Sequence, residues 1–221
     1  NTLGGKIYPL REVKNTYEVT DNSNINQESK EIVEGSILLN LEINSLSFIP
    51  EFLNPEDYKE KVNIKLIARA RYTKTLNKIG WSKLFVETFN KASPEVLSYA
   101  AGYLEGKLSA KHILDFYKNL VGIHSDEKNE LEEVFRYYSE VEKNIRKRTS
   151  KENLKNLSLL NNEKELRYWI TVAMIQAQTD GLFHGYQSEM KGKADIDLKF
   201  EHFYFINADG EVPELLTLFK L

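Results

Sequence analysis

The segment from Tyr168 to Tyr186, YWITVAMIQAQTDGLFHGY, constrains the fold more than any other part of the chain. Its apolar core, Trp169 to Ile175, falls far short of the roughly 20 residues that cross a bilayer, so the segment belongs inside a protein. A surface helix would show polar residues at every third or fourth position. Here apolar side chains run round the whole circumference, which predicts a helix buried on most sides. Gln176, Gln178 and Asp180 then enter or border a dry region, where each needs a partner.

The elements before this helix read as strands and then helices. KIYPL and TYEVT flank a polar stretch, DNSNINQESKE, that predicts a loop, and SILLNLEI follows as a strand. Val62, Ile64, Leu66, Ala68, Ala70 and Tyr72 alternate with Asn63, Lys65, Ile67, Arg69 and Arg71, the period of a strand. Gly80 to Glu87 reads as another, its consecutive apolar residues predicting cover on both faces. From Ser93 the chain turns helical, because Ser93-Pro94-Glu95 supplies an N-cap, a proline for the first turn and an acid near the positive end of the dipole. Gly106 is the expected end of that helix. A second runs from Ser109 to Gly122. A long third follows Ser125, with Leu131, Val134, Phe135, Tyr138, Val141 and Ile145 on one stripe and a charged, solvated face opposite. An exposed turn is expected around Thr149 to Lys151. Beyond the buried helix, Gly181, Gly185 and Gly192 predict breaks, His202 to Ile206 a strand, and Asn207 to Gly210 a turn.

Two sets of polar residues stand out. Ser98, Ala101, Gly102 and Glu105 share one helical face on which small residues permit close backbone approach. Glu105 beside that face is either a buried anchor or part of a substrate pocket, and the same alternatives hold for Gln176, Gln178 and Asp180. Glu105 and Asp180 are expected to be largely buried and hydrogen-bonded. His112, His124, His184 and His202 are too scattered to form one metal site, and no Ser-His-Asp order or glycine-rich phosphate loop occurs.

Composition narrows the partners. Thirty Lys and Arg against thirty-three Asp and Glu leave no positive excess to attract nucleic acid or anionic lipid. The 221 residues, 41% hydrophobic, can bury one substantial core and contain no linker that forces two domains. Cysteine is absent, so the chain offers no disulfide, thiolate metal site or cysteine nucleophile. No cofactor is implied. NTLGGKIYPL lacks the features of a signal peptide, which a mature secreted chain would have lost. Asn156-Leu157-Ser158 is the one glycosylation sequon.

Four blocks in order resemble the phospholipase B-like proteins, relatives of the lamina ancestor protein. Gly80-Trp81-x-x-Leu84-x-Val86 is similar to the family's Gly-Trp strand, although Phe85 stands where the family usually has an acid. Ala101-Gly102-Tyr103-Leu104-Glu105-Gly106-Lys107-Leu108-Ser109 resembles its Ala-Gly-x-x-Glu-Gly helix. Trp169 and Ala177-Gln178-x-Asp180-Gly181-Leu182 with Gly185 resemble its Ala-Gln-x-Asp-Gly-Leu helix, and Asn207-x-x-Gly210-Glu211-x-x-Glu214-Leu215 its Asn-x-x-Gly-Asp segment.

The resemblance implies an α+β fold of the N-terminal nucleophile hydrolase type, an αββα sandwich of which this chain supplies part. It implies that residues 1–221 are a single-domain fragment completed by a separate C-terminal chain of the same precursor. That precursor cuts itself, and the new N-terminal cysteine of the C-terminal chain attacks an amide or ester, with a lipid or N-acyl amide as substrate. On this reading no catalytic residue lies in the present chain. Glu105, Gln178 and Asp180 are its pocket or structural candidates, Asn156 carries a glycan, and the location is lysosomal or secreted. The rival reading is a non-catalytic binding or structural module.

Overall fold

A computed structural model describes residues 19–21, 31–42, 44–59, 61–160 and 162–220. The strand expected over KIYPL lies outside these residues. The elements are β1 (Val19–Asp21), β2 (Ile32–Asn40), β3 (Ser45–Ile49), β4 (Ile64–Thr73), α1 (Leu76–Ile79), β5 (Lys83–Thr88), α2 (Pro94–Leu108), α3 (Ala110–Ile123), α4 (Lys128–Arg148), α5 (Lys151–Leu159), α6 (Glu163–Met190), α7 (Phe200–Asn207) and α8 (Val212–Phe219). The fold is α+β, a strand-rich first third followed by helices.

The strands form one sheet in the order β1-β3-β2-β4-β5, antiparallel except for the parallel β1–β3 pair. The alternation read in β4 holds up to a register shift opposite Ile37 and Leu38, where an extra residue leaves Leu66, Ile67 and Ala68 all fully buried. One face, with Val33, Ile37, Ala68, Ala70 and Tyr72, meets Val96, Tyr99, Ala100, Tyr103 and Leu104 of α2. Gly35 makes room there, since a Cβ on it would lie 2.4 Å from the Phe48 ring. The other face is polar. Arg69 pairs with Glu87 at 2.7 Å, Arg71 with Glu34 at 2.6 Å, and both guanidinium groups stack on Phe52. β5 is an edge strand with no fully buried residue and with Phe85 half in solvent, so the expected cover on both faces is absent within the described chain.

α2 starts as its sequence dictates, with the Ser93 side chain accepting from the Val96 amide and Pro94 in the first turn. It runs past Gly106 to Leu108, and α6 runs unbroken through Gly181 and Gly185. These glycines are contact points, not helix ends. A Cβ on Gly102 would sit 1.9 Å from the Gln178 carbonyl oxygen, and one on Gly106 2.0 Å from that of Leu182. Reciprocally, a Cβ on Gly181 or Gly185 would sit 2.1 Å from the carbonyl oxygen of Tyr99 or Tyr103. Only residues without side chains let two helices approach this closely, and their contacts offset the roughly 1 kcal/mol that each glycine costs a helix. Contact positions rise together along both helices, so α2 and α6 run parallel.

A second core joins α3, α4, α7 and α8 to the carboxy-terminal half of α6 through Leu114, Tyr117, Val134, Tyr138, Tyr186, Phe203, Phe205 and Leu216. Phe203 and Phe205 are 1% and 0% exposed, each burial worth about 1.5–3 kcal/mol. They belong to α7, a helix where the sequence predicts a strand. A short aromatic run surrounded by neighbours fits either element by periodicity; packing against α3, α4 and α6 selects the helix here, and at its start the Lys199 amide donates to His202 Nδ1 at 3.1 Å. No described helix is long and apolar enough to cross a membrane.

Candidate functional site

A cleft of about 340 Å³ opens where α6 passes between α2 and α7. Glu105 of α2, Ile175, Gln178, Thr179 and Leu182 of α6, and Phe203, Tyr204 and Asn207 of α7 line it. The glycine contacts create this geometry. Gly102 and Gly106 flank Glu105 and hold its helix against Gln178 and Leu182, so the carboxyl projects beside the Gln178 amide. Burial pushes the Glu105 carboxyl up from its usual range, while a hydrogen bond from the Gln178 side chain pulls it back. The Tyr204 hydroxyl donates to Gln176 Oε1 at 2.8 Å. Burial, then the nearby Glu142 charge, pushes that phenol up to about 12, so Tyr204 is a neutral hydrogen-bonding group.

Asp180 faces elsewhere. Both its oxygens bind the Arg146 guanidinium of α4, at 2.6 and 3.2 Å, and Gln176 donates to it at 3.4 Å. Arg146 also reaches Glu142 at 2.6 Å and lies over the Phe200 ring. Thus part of the charged face of α4, expected to be wholly solvated, clamps α6 to α4 near α7. One turn further along α6, the Tyr99 hydroxyl lies 2.9 Å from His184 Nδ1. Burial lowers the His184 pKa first of all, with Asp180 and Arg146 pulling in opposite directions, so the imidazole is neutral at physiological pH.

The residues expected from sequence therefore part company. Glu105 and Gln178 meet at the cleft, whereas Asp180 joins an ion network beside it. Glu105 is only partly buried and Gln178 is exposed because the cleft is open to solvent, and Asp180, in its network beside the cleft, is also only partly buried. Asn156 is exposed in the last turn of α5, a helix end, where its polar surroundings lead one to expect an exposed loop or helix end. Tyr204 and Asn207 escaped notice as site residues because their segment reads as strand and turn, and Arg146 because one arginine in a charged stripe carries no signal of its own. His124, His184 and His202 bond Glu127, Tyr99 and the Lys199 backbone rather than a serine or threonine hydroxyl. Among the described residues no cluster of His, Asp and Glu could hold a metal ion.

The sequence profile of the phospholipase B family covers residues 68–221, from β4 through every cleft residue to the last helix, and the chain belongs to that family. It is 28% identical over 155 residues to phospholipase B-like protein E of Dictyostelium discoideum, covering 69% of this chain and 26% of that protein. It is 27% identical over 148 residues to phospholipase B of Crotalus adamanteus, covering 66% and 25% of the two, and 27% identical over 150 residues to phospholipase B-like 1 of Bos taurus, again 66% and 25%. The chain thus spans about a quarter of the length of these relatives.

Proposed function

We propose that this chain is the N-terminal, non-nucleophile part of a phospholipase B-like hydrolase that cleaves an ester or amide bond of a lipid. The family membership carries this reading, since the matched region includes both halves of the helix pair and the whole cleft lining. A cysteine at the start of a C-terminal chain supplies the nucleophile. Its α-amino group takes the thiol proton, the thiolate adds to the carbonyl carbon, and the alcohol or amine leaves with that proton. Water then hydrolyses the acyl-cysteine, returning the thiol and releasing the acid.

The sheet is one layer of an αββα sandwich, its Arg69, Arg71 and Glu34 face turned towards the second sheet. Supporting the partner are large apolar side chains left in solvent: Tyr168 and Ile175 on α6, 60% and 59% exposed, and Trp81 beside β5, 75% exposed. Asp180 is a structural anchor in this scheme and Glu105 and Gln178 are pocket residues. The protein is lysosomal or secreted, with a glycan on exposed Asn156.

The full-length protein, purified natively from its source and then denatured, tests the scheme. The expected result is two chains, the larger beginning with cysteine and the smaller losing mass on glycosidase treatment, with turnover of a phospholipid or N-acyl amide that alkylation of the cysteine stops. A single polypeptide, or two chains that turn over neither class, overturns it.

A further inference from the structure

The hydrogen bonds already made around the cleft determine what a ligand can find there. Thr179 donates to the Ile175 carbonyl at 3.0 Å, Tyr204 to Gln176 at 2.8 Å, and Asn207 Nδ2 to the Phe203 carbonyl at 2.7 Å. Gln178 donates to Glu105. Left over are a carboxylate oxygen of Glu105, Oδ1 of Asn207, Oε1 of Gln178 and a lone pair on Tyr204, all acceptors, against one amide N–H each on Gln178 and Asn207. Among the described residues of the lining Glu105 carries the only charge, and no Lys, Arg or His contributes to it. Arg146, the cation bonded to neighbouring Asp180, is already engaged by Asp180 and Glu142. The remaining walls, Ile175, Leu182 and Phe203, are hydrocarbon.

This lining rejects a phosphate or carboxylate, which would meet a carboxylate and find no cation. A quaternary ammonium brings charge but no N–H for the spare acceptors. A primary ammonium brings both, and charge-assisted hydrogen bonds are the strong ones. We propose that the cleft binds a primary alkylammonium amphiphile, its ammonium on Glu105 among the acceptors of Gln178, Asn207 and Tyr204 and its short hydrocarbon against Ile175, Leu182 and Phe203. The volume, about 340 Å³, lies at the small end of the range for small-molecule sites and suits a short chain rather than a long acyl tail. The inference concerns the cleft that the hydrolase reading takes as a pocket, but because binding is measured without turnover the two can fail separately.

Isothermal titration of the full-length protein at neutral pH with n-hexylammonium, n-hexanol and n-hexanoate tests it. Saturable binding of hexylammonium is expected, weaker binding of hexanol and none of hexanoate. Glu105→Gln keeps the side-chain shape and is expected to weaken hexylammonium about tenfold or more while leaving hexanol unchanged. A thermal melt confirms that the variant is folded, and Asp180→Asn, which removes a carboxylate outside the cleft, is expected to bind as the parent does. Hexanoate binding as tightly as hexylammonium, equal affinity of Glu105→Gln and parent, or no uptake of hexylammonium because another part of the protein fills the cleft, would each overturn the proposal. Loss of hydrolysis with binding retained would sink the hydrolase reading alone.

Discussion

The amino-terminal half of α6 is its more apolar half, and the carboxy-terminal half is its more deeply packed one. Tyr168 and Ile175 stand 60% and 59% exposed, while Ala177, Gly181, Gly185 and Tyr186 are buried. The difference lies in side-chain size. Glycines at 181 and 185 let the α2 backbone come close enough to exclude solvent on that side, whereas bulky Tyr168 and Ile175 stay largely in solvent and Trp169 is covered only in part, with Arg148 of α4 over its ring. Apolar character marks a segment that needs cover, and small residues spaced four apart mark where this chain supplies the cover itself.

Substitutions that strike the two halves should differ accordingly. The largest effect is expected at the helix contact: Gly106→Val places carbon atoms where the Leu182 backbone lies. It should cost the full-length protein about 4 kcal/mol or more in denaturant unfolding, or prevent folding, because neither backbone can move aside alone. Ile175→Val, on the open half, should stay within about 0.5 kcal/mol in the isolated chain.

Next comes the ion pair closing the same contact. Lys107, 1% exposed, reaches Glu189 at 3.4 Å and lies over the Phe48 ring. Lys107→Ala is expected to cost about 3 kcal/mol, the lower end for a broken buried pair, because Lys193 still reaches Glu189 at 3.0 Å. Pairing it with Glu189→Leu should recover most of the loss, and thermal unfolding of the single and double variants measures both. Asp180→Ala removes the bidentate contact to a partly exposed Arg146 that keeps Glu142, so about 1 kcal/mol is expected.

Glu105 should matter less for stability than Asp180, since exposed Gln178 can replace it with water. Glu105→Gln is expected to change stability by less than about 1 kcal/mol. Its sign depends on pH. The folded carboxyl titrates above its ordinary 4.5, so the native state holds that proton more tightly than the unfolded chain. The wild-type side chain therefore favours folding below about 4.5 and loses that contribution as pH rises through the raised value. Glu105→Gln should equal or exceed the parent at neutral pH and lose the advantage in acid. Melting temperatures across this window check it, and a wild-type advantage that grows with pH would contradict the burial of Glu105.

How much of this was legible follows the same division. The start of α2 was readable because Ser93 and Pro94 act locally, and the strand period of β4 because every second residue faces one core. The passage of α6 through Gly181 and Gly185 was not, because a glycine that ends a helix and one that lets another helix approach look alike until the partner is in place. Likewise HFYFI satisfies strand and helix equally, and only its neighbours on α3, α4 and α6 choose. The cleft was half visible. Glu105 and Gln178 stood out as polar residues in apolar or glycine-rich surroundings, but Tyr204 and Asn207 reach it through the helix that sequence misread.

The central claim is that backbone contact through glycine, rather than apolar character, fixes α6 and with it the cleft. Comparing Gly181→Ala with Gly122→Ala in the full-length protein tests it most directly. Both glycines lie in helices, but a methyl at Gly181 would sit 2.1 Å from the Tyr99 carbonyl oxygen, while nothing lies within 4 Å of one at Gly122. Opposite signs are predicted: a loss of about 2 kcal/mol or more at Gly181, and no loss, or a gain of up to about 1 kcal/mol, at Gly122. If both alanines raise stability alike, α2 and α6 do not meet through their backbones and the account is wrong.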